Sequence, residues 1–148
     1  MKWLLDTNVV SESVRRRPSK TVLEWVAQRS ASDSAISIIT LAELRVGTEL
    51  TASPQRRAEL TRWVSNEIER SFAERTLPLT IAILVEWLQL GRRNAVAGKT
   101  RSPVDLLIAA TARVHDLIVV TRNARDFAGT GVVVYDPWND RTHQMELA

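Results

Sequence analysis

The sequence predicts an α/β domain of three layers, with helices on both faces of a mostly parallel central sheet. Three observations predict it. Short runs of Val, Ile and Leu alternate along the chain with longer stretches of helical periodicity. Most of those runs lack regular polar alternation, as expected of parallel strands covered on both faces. The 148 residues are 45% hydrophobic and 25% charged, which suits one folded domain with a real core.

The elements follow in order. A first strand over residues 2–5 ends in the polar triplet Asp6-Thr7-Asn8. Residues 21–29 place Val22, Trp25 and Val26 on one helical face. A second strand covers residues 35–39. After it, Thr40-Leu41-Ala42-Glu43 matches a capping box, which would start a helix at Thr40. Residues 54–73 carry Leu60, Trp63, Val64, Ile68 and Phe72 as a helical stripe. Helices outnumber strands between Thr40 and Leu90, so a helical hairpin is expected to project from the sheet.

A third strand at 76–79 precedes residues 81–90, which are apolar nearly all round and expected to be buried. Residues 98–103 read as a loop. Ser102 followed by Pro103 marks the start of a helix over 102–115. Strands over 117–121 and 132–135 bring the sheet to about five strands. The domain is expected to span residues 1–138, with 139–148 a short polar tail that frays.

Composition removes several classes of function. The chain has no cysteine, so disulfides, thiolate zinc sites and cysteine nucleophiles are excluded. A reducing, cytoplasmic setting is compatible with this and expected. No charged segment followed by a long apolar stretch opens the chain, so no signal peptide is expected. Apolar runs fall far short of the ~20 residues of a membrane span. No Gly-x-Ser-x-Gly elbow, Walker A loop or dinucleotide loop occurs. His115 and His143 are the only histidines and form no obvious catalytic pair. The net charge is +3, and arginine supplies 17 of the 20 basic residues. Arginine suits phosphate contacts, although an excess of this size is a weak nucleic-acid signal by itself.

The acids carry the chemistry. Asp6, Glu43 and Asp105 come from distant parts of the chain, each beside a buried-looking apolar segment. Singly, each reads more simply as part of a helix start: Asp6 as a cap, Glu43 in its capping box, Asp105 three residues after Ser102. Jointly, all three fall on one edge of a parallel sheet, where open α/β folds bind ligands. Caps can equally be Ser, Thr or Asn, whereas hard cations such as Mg²⁺ and Mn²⁺ require anionic oxygen. Clustered carboxylates repel one another unless a cation or a proton neutralises them. Asn123 and Asp126 follow a predicted buried strand and are candidates to complete the cluster. Thr7 and Asn8 could add neutral oxygens that orient a water.

Read together, these segments resemble a PIN domain, and within that family the VapC-type toxins of bacterial toxin–antitoxin modules, FitB-like branch. The resemblance runs through residues 4–12, 39–47, 103–112, 121–127 and 134–138 in that order, nearly the whole chain. It implies a PIN-like α/β/α fold and a metal-dependent endoribonuclease using Mg²⁺, with Mn²⁺ able to substitute. Asp6, Glu43 and Asp105 match the family's most constant acidic positions. Some relatives carry an aspartate where this chain has Asn123, which leaves Asp126 as the nearest carboxylate for the fourth position. Arg15, Arg16, Arg17 and Arg122 are candidates to grip RNA phosphates. The resemblance further implies a homodimer, a small VapB-type antitoxin as partner, and promoter DNA bound through that antitoxin.

Competing readings are a catalytically impaired PIN scaffold and a HAD-like Mg²⁺-dependent phosphatase. The intact Asp6, Glu43 and Asp105 weigh against the first, and Asn123 is its only support. The second requires Asp-x-Asp after strand one, where this chain has Asp6-Thr7-Asn8.

Overall fold

The computed structural model of the chain describes residues 1–148. Six strands form one sheet: β1 (Trp3–Leu5), β2 (Ser34–Ser37), β3 (Thr76–Leu77), β4 (Ile118–Val120), β5 (Val133–Asp136) and β6 (Arg141–Gln144). Their spatial order is β3-β2-β1-β4-β5-β6. Every pair from β3 to β5 is parallel, and only β6 runs antiparallel, against β5. Seven α-helices accompany them: α1 (Thr7–Val10), α2 (Lys20–Ala27), α3 (Ile38–Glu49), α4 (Pro54–Trp63), α5 (Glu69–Ser71), α6 (Ile81–Val96) and α7 (Pro103–His115).

Strand pleating divides the core into two halves. Leu4, Ala35, Val119 and Val134 point to one face and pack with Ile83 and Leu90 of α6 and the buried run Leu106–Ala112 of α7. Leu5, Ile36 and Val120 point to the other and meet Val9, Val22, Trp25, Leu44, Val64 and Ile68. Side chains with an alternation of two thus cover both faces, which produces the three layers expected. Each fully buried branched chain contributes about 1.5–3 kcal/mol through burial.

Several expectations needed correction. The tail does not fray: β6 pairs with β5 in the register Val133↔Gln144 to Asp136↔Arg141, and Leu147 bridges to Gly129 and Thr130. Edge pairing needs only backbone groups, so the polarity of residues 141–144 is no obstacle. Residues 38 and 39 belong to α3, not to strand β2. The cap is Ser37, whose hydroxyl accepts the Ile39 N–H at 3.2 Å, so Thr40 starts no helix and Glu43 lies in the second turn. Helix α6 buries only the face bearing Ile83, Leu90 and Asn94, while Ile81, Val85 and Leu88 are exposed.

The helical hairpin is present. Helix α3 runs against α4 and α5, joined by an Arg45–Glu69 ion pair and lined by Thr48, Glu49, Thr61 and Ser65. Helix α4 buries no residue, so this arm stands off the sheet. A π-helical turn at Val64–Ile68 interrupts the predicted continuous helix and turns Val64 and Ile68 into the core. No helix is long and apolar enough to cross a membrane.

Candidate active site

Parallel pairing places the C-terminal ends of β1, β2, β4 and β5 along one edge of the sheet. Asp6 follows β1 directly and caps α1, accepting the Thr7 N–H through Oδ1 at 2.8 Å. Glu43 arrives on the second turn of α3, which leaves the end of β2. Helix α7 leads into β4 and so runs back along the sheet, which brings its first turn, with Asp105, to the same edge. Ser102 caps α7 through the Asp105 N–H, as expected from the sequence. Asp126 lies on the 3₁₀ turn Ala124–Phe127, beyond β4.

Asp6, Glu43 and Asp105 each feel the charge of at least one neighbouring acid. The charges of Asp6, Asp126 and Glu43 all act on Asp105, behind burial as the first cause, and its carboxyl is pushed up to about 6. Burial raises Asp6, which is 8% exposed, and Asp126 adds repulsion against the Thr121 and Thr7 hydrogen bonds. Glu43 is raised mainly by burial, with a hydrogen bond from Thr7 opposing and Asp6 reinforcing the shift. Such mutual destabilisation of negative charge favours a bound cation.

Neutral side chains hold the acids in place. Thr7 Oγ1 donates to Glu43 Oε1 at 2.8 Å and ties α1 to α3. Asn8 Nδ2 donates to Thr121 Oγ1 at 3.1 Å, and its Oδ1 accepts the Arg122 N–H at 3.2 Å. Thr121, fully buried, donates to Asp6 Oδ2 at 2.8 Å. The same hydroxyl accepts the Asn123 N–H at 3.2 Å. Thr121 is the member of this network that sequence reasoning missed. Its signal was a hydroxyl directly after a buried strand, a pattern too common to stand out.

The remaining candidates are distributed around this centre. Asn123 is joined to it by its backbone, and its side chain is exposed. Arg122 is exposed, with its guanidinium 5.5 Å from the centre of the Trp138 ring. Arg15 is paired with buried Glu12 at 3.4 Å, and Arg16 and Arg17 are exposed on the following bend.

The donor set suits a hard divalent cation: it is all oxygen, and its carboxylates resist ionising together. No group of three acidic or histidine side chains is already drawn together as a ready-made metal-binding group. The site is therefore an acidic basin rather than a closed cage.

Comparison with known proteins agrees with this architecture. The PIN domain family model matches residues 3–132. Toxin FitB of Neisseria gonorrhoeae is 36% identical, across 93% of this chain and 99% of its own length. VapC ribonuclease Y4jK of Sinorhizobium fredii is 32% identical, across 91% of this chain and 96% of its own. A crystal structure of FitAcB from Neisseria gonorrhoeae superposes with a TM-score of 0.87 at 35% identity, covering 92% of this chain and 98% of that one. The acids at one sheet edge, the parallel order of strands and the family match over residues 3–132 together make this chain a member of the PIN domain family.

Proposed function

We propose that this PIN domain is the toxin of a toxin–antitoxin pair and acts as a divalent-metal-dependent endoribonuclease. The observation that carries the reading is the gathering of Asp6, Glu43, Asp105 and Asp126 at one sheet edge, where burial raises the pKa values of the first three and neighbouring acids add to each shift. The names borne by similar proteins, a toxin and a VapC ribonuclease, support the same conclusion.

Asp6, Glu43 and Asp105 would hold Mg²⁺, with Mn²⁺ as substitute, and Asp126 would complete the acidic basin. A divalent cation there supplies charge neutralisation at a phosphodiester and activation of water. The chain's own residues supply position. Thr121 and the Thr7 N–H fix the Asp6 carboxylate, Thr7 Oγ1 fixes Glu43, and Asn8 ties both networks to the loop after β4. Asn8 and Asn123 would help to orient water. Arg15, Arg16, Arg17 and Arg122 offer cationic contacts to the RNA backbone, whose charge the acids would otherwise repel. Asn123 brings no charge of its own, which favours a single well-held cation over a tightly held pair.

The partners follow the same reading: a VapB-type antitoxin, promoter DNA reached through it, and a second copy of the chain. The exposed apolar row Ile81, Val85 and Leu88 on α6 supports the last.

The test is cleavage of total RNA by antitoxin-free protein with Mg²⁺, Mn²⁺ or EDTA, beside Asp6→Asn and Asp105→Asn. The expected result is discrete products that require metal and fall at least ~100-fold in both variants. Equal cleavage by folded variants, or cleavage in EDTA, would remove the proposal. No RNA cleavage but hydrolysis of small phosphate esters would favour a phosphatase.

A further inference from the structure

Five cation–aromatic contacts occur in the molecule, and one of them stands at the acidic edge. Lys2 and Arg29 pack on Trp3 and Trp25, with Trp3 at the opposite, N-terminal end of β1. Arg75 lies over Phe72 but spends its guanidinium on the carbonyls of Ala31, Ser34 and Ser71. Arg122 differs in both respects. It follows Thr121, whose hydroxyl holds Asp6, and its own N–H is bonded to Asn8. Its guanidinium makes no ion pair and rests 5.5 Å from the centre of the Trp138 ring.

The backbone that carries the ring is held in place. Asp136, buried at the end of β5, accepts the backbone N–H of Trp138 through Oδ1 and the Asn139 side-chain amide through Oδ2, both at 2.8 Å. The residue packs against the core and is only partly exposed. Thr121 N–H to Tyr135 O, at 3.1 Å, locks the strand that delivers Trp138 to the loop that delivers Arg122. A part-exposed aromatic ring beside an unpaired guanidinium, whose backbone is bonded to Asn8 and through Asn8 to Asp6, has the chemistry of a base-stacking site.

We propose that Trp138 and Arg122 form a stacking platform for one unpaired RNA base beside the acids, and that this contact sets which phosphate reaches them. The proposal rests on the ribonuclease reading above and deepens it. It makes the substrate a single-stranded or loop segment, because a base held in a duplex cannot splay onto a ring. It also makes base identity a minor factor at that position, since every base has a face to stack. Trp138 and Arg122 are thus positioning residues, not members of the acidic machinery.

The test crosses protein variants with abasic substrates. The probes are short unstructured RNAs of mixed sequence, each lacking one base at a different position, assayed both for cleavage with Mn²⁺ and for equilibrium binding. Wild-type protein should lose about tenfold in binding, and in kcat/KM, when one particular base is missing. Trp138→Leu should show that loss on intact RNA and no further loss on that abasic RNA, while Trp138→Phe retains the wild-type pattern. Arg122→Ala should lose part of the same base dependence. Its side chain is exposed, so the variant keeps the question answerable if Trp138→Leu does not fold. A purely structural Trp138 would lower activity equally on all RNAs. Equal losses for wild type and variants at every abasic position would overturn the platform while leaving the nuclease intact. Base-dependent binding without any cleavage would uphold the platform and sink the nuclease, and neither signal would sink both.

Discussion

Asp105 is the residue on which the site's electrostatics concentrate. Its carboxyl is raised from 3.8 to about 6 by burial and by three neighbouring acids. The folded chain therefore keeps this proton to higher pH than the unfolded chain does. In metal-free protein, this group's contribution to stability falls as pH rises from about 3.8 to about 6, then levels off. Asp105→Asn should remove that slope. The variant is expected to be more stable than wild type at neutral pH, by about 1 kcal/mol once solvent screening is allowed for, and equal to it at the acid end. Urea unfolding of both proteins in EDTA across this range reads the difference. A gap that does not change with pH would show that the repulsion is not there. Asp6, Glu43 and Asp105 were legible as a set because carboxylates beside apolar segments are costly and need a reason. Thr121 was not, because a hydroxyl can bond its own backbone anywhere, and only the fold reveals that this one faces Asp6.

Helix α6 shows how far periodicity reaches at the scale of an element. Its sequence carries two apolar rows. Ile83, Leu90 and the flanking Trp87 pack on the core, while Ile81, Val85 and Leu88 face away. Apolar content cannot distinguish a row that meets the core from one that meets another chain, and so the sequence suggested burial all round. The outward row predicts self-association. Leu88 is 64% exposed and outside the core, so Leu88→Glu should shift dimers to monomers while changing the unfolding midpoint of the monomer little. Sedimentation over a range of concentrations would decide, and a wild-type protein that stays monomeric throughout would refute the assignment. Strand β6 escaped notice for the converse reason, since a polar segment can pair at an edge without any apolar signature. The start of α3 was misread because Ser37 and Thr40 are both competent caps, and the β2 pairing that ends at Ser37 makes the choice.

For the whole molecule, topology makes the site. Acids far apart in sequence meet because parallel strands end on one edge and helices returning along the sheet begin there. The alternation of strand and helix made that edge foreseeable, and the acids on it followed. The order of strands and the fit of Trp138 against Arg122 were not foreseeable, because both depend on contacts between segments that share no local pattern. On the proposed reading, four separate segments build one cation site. Titration of Mn²⁺ into RNA-free protein, followed by calorimetry, tests it most directly with Asp6→Asn and Asp105→Asn alongside. The expected result is saturable binding by wild type that is weakened at least ~10-fold in each folded variant. Binding unchanged by both substitutions would contradict it.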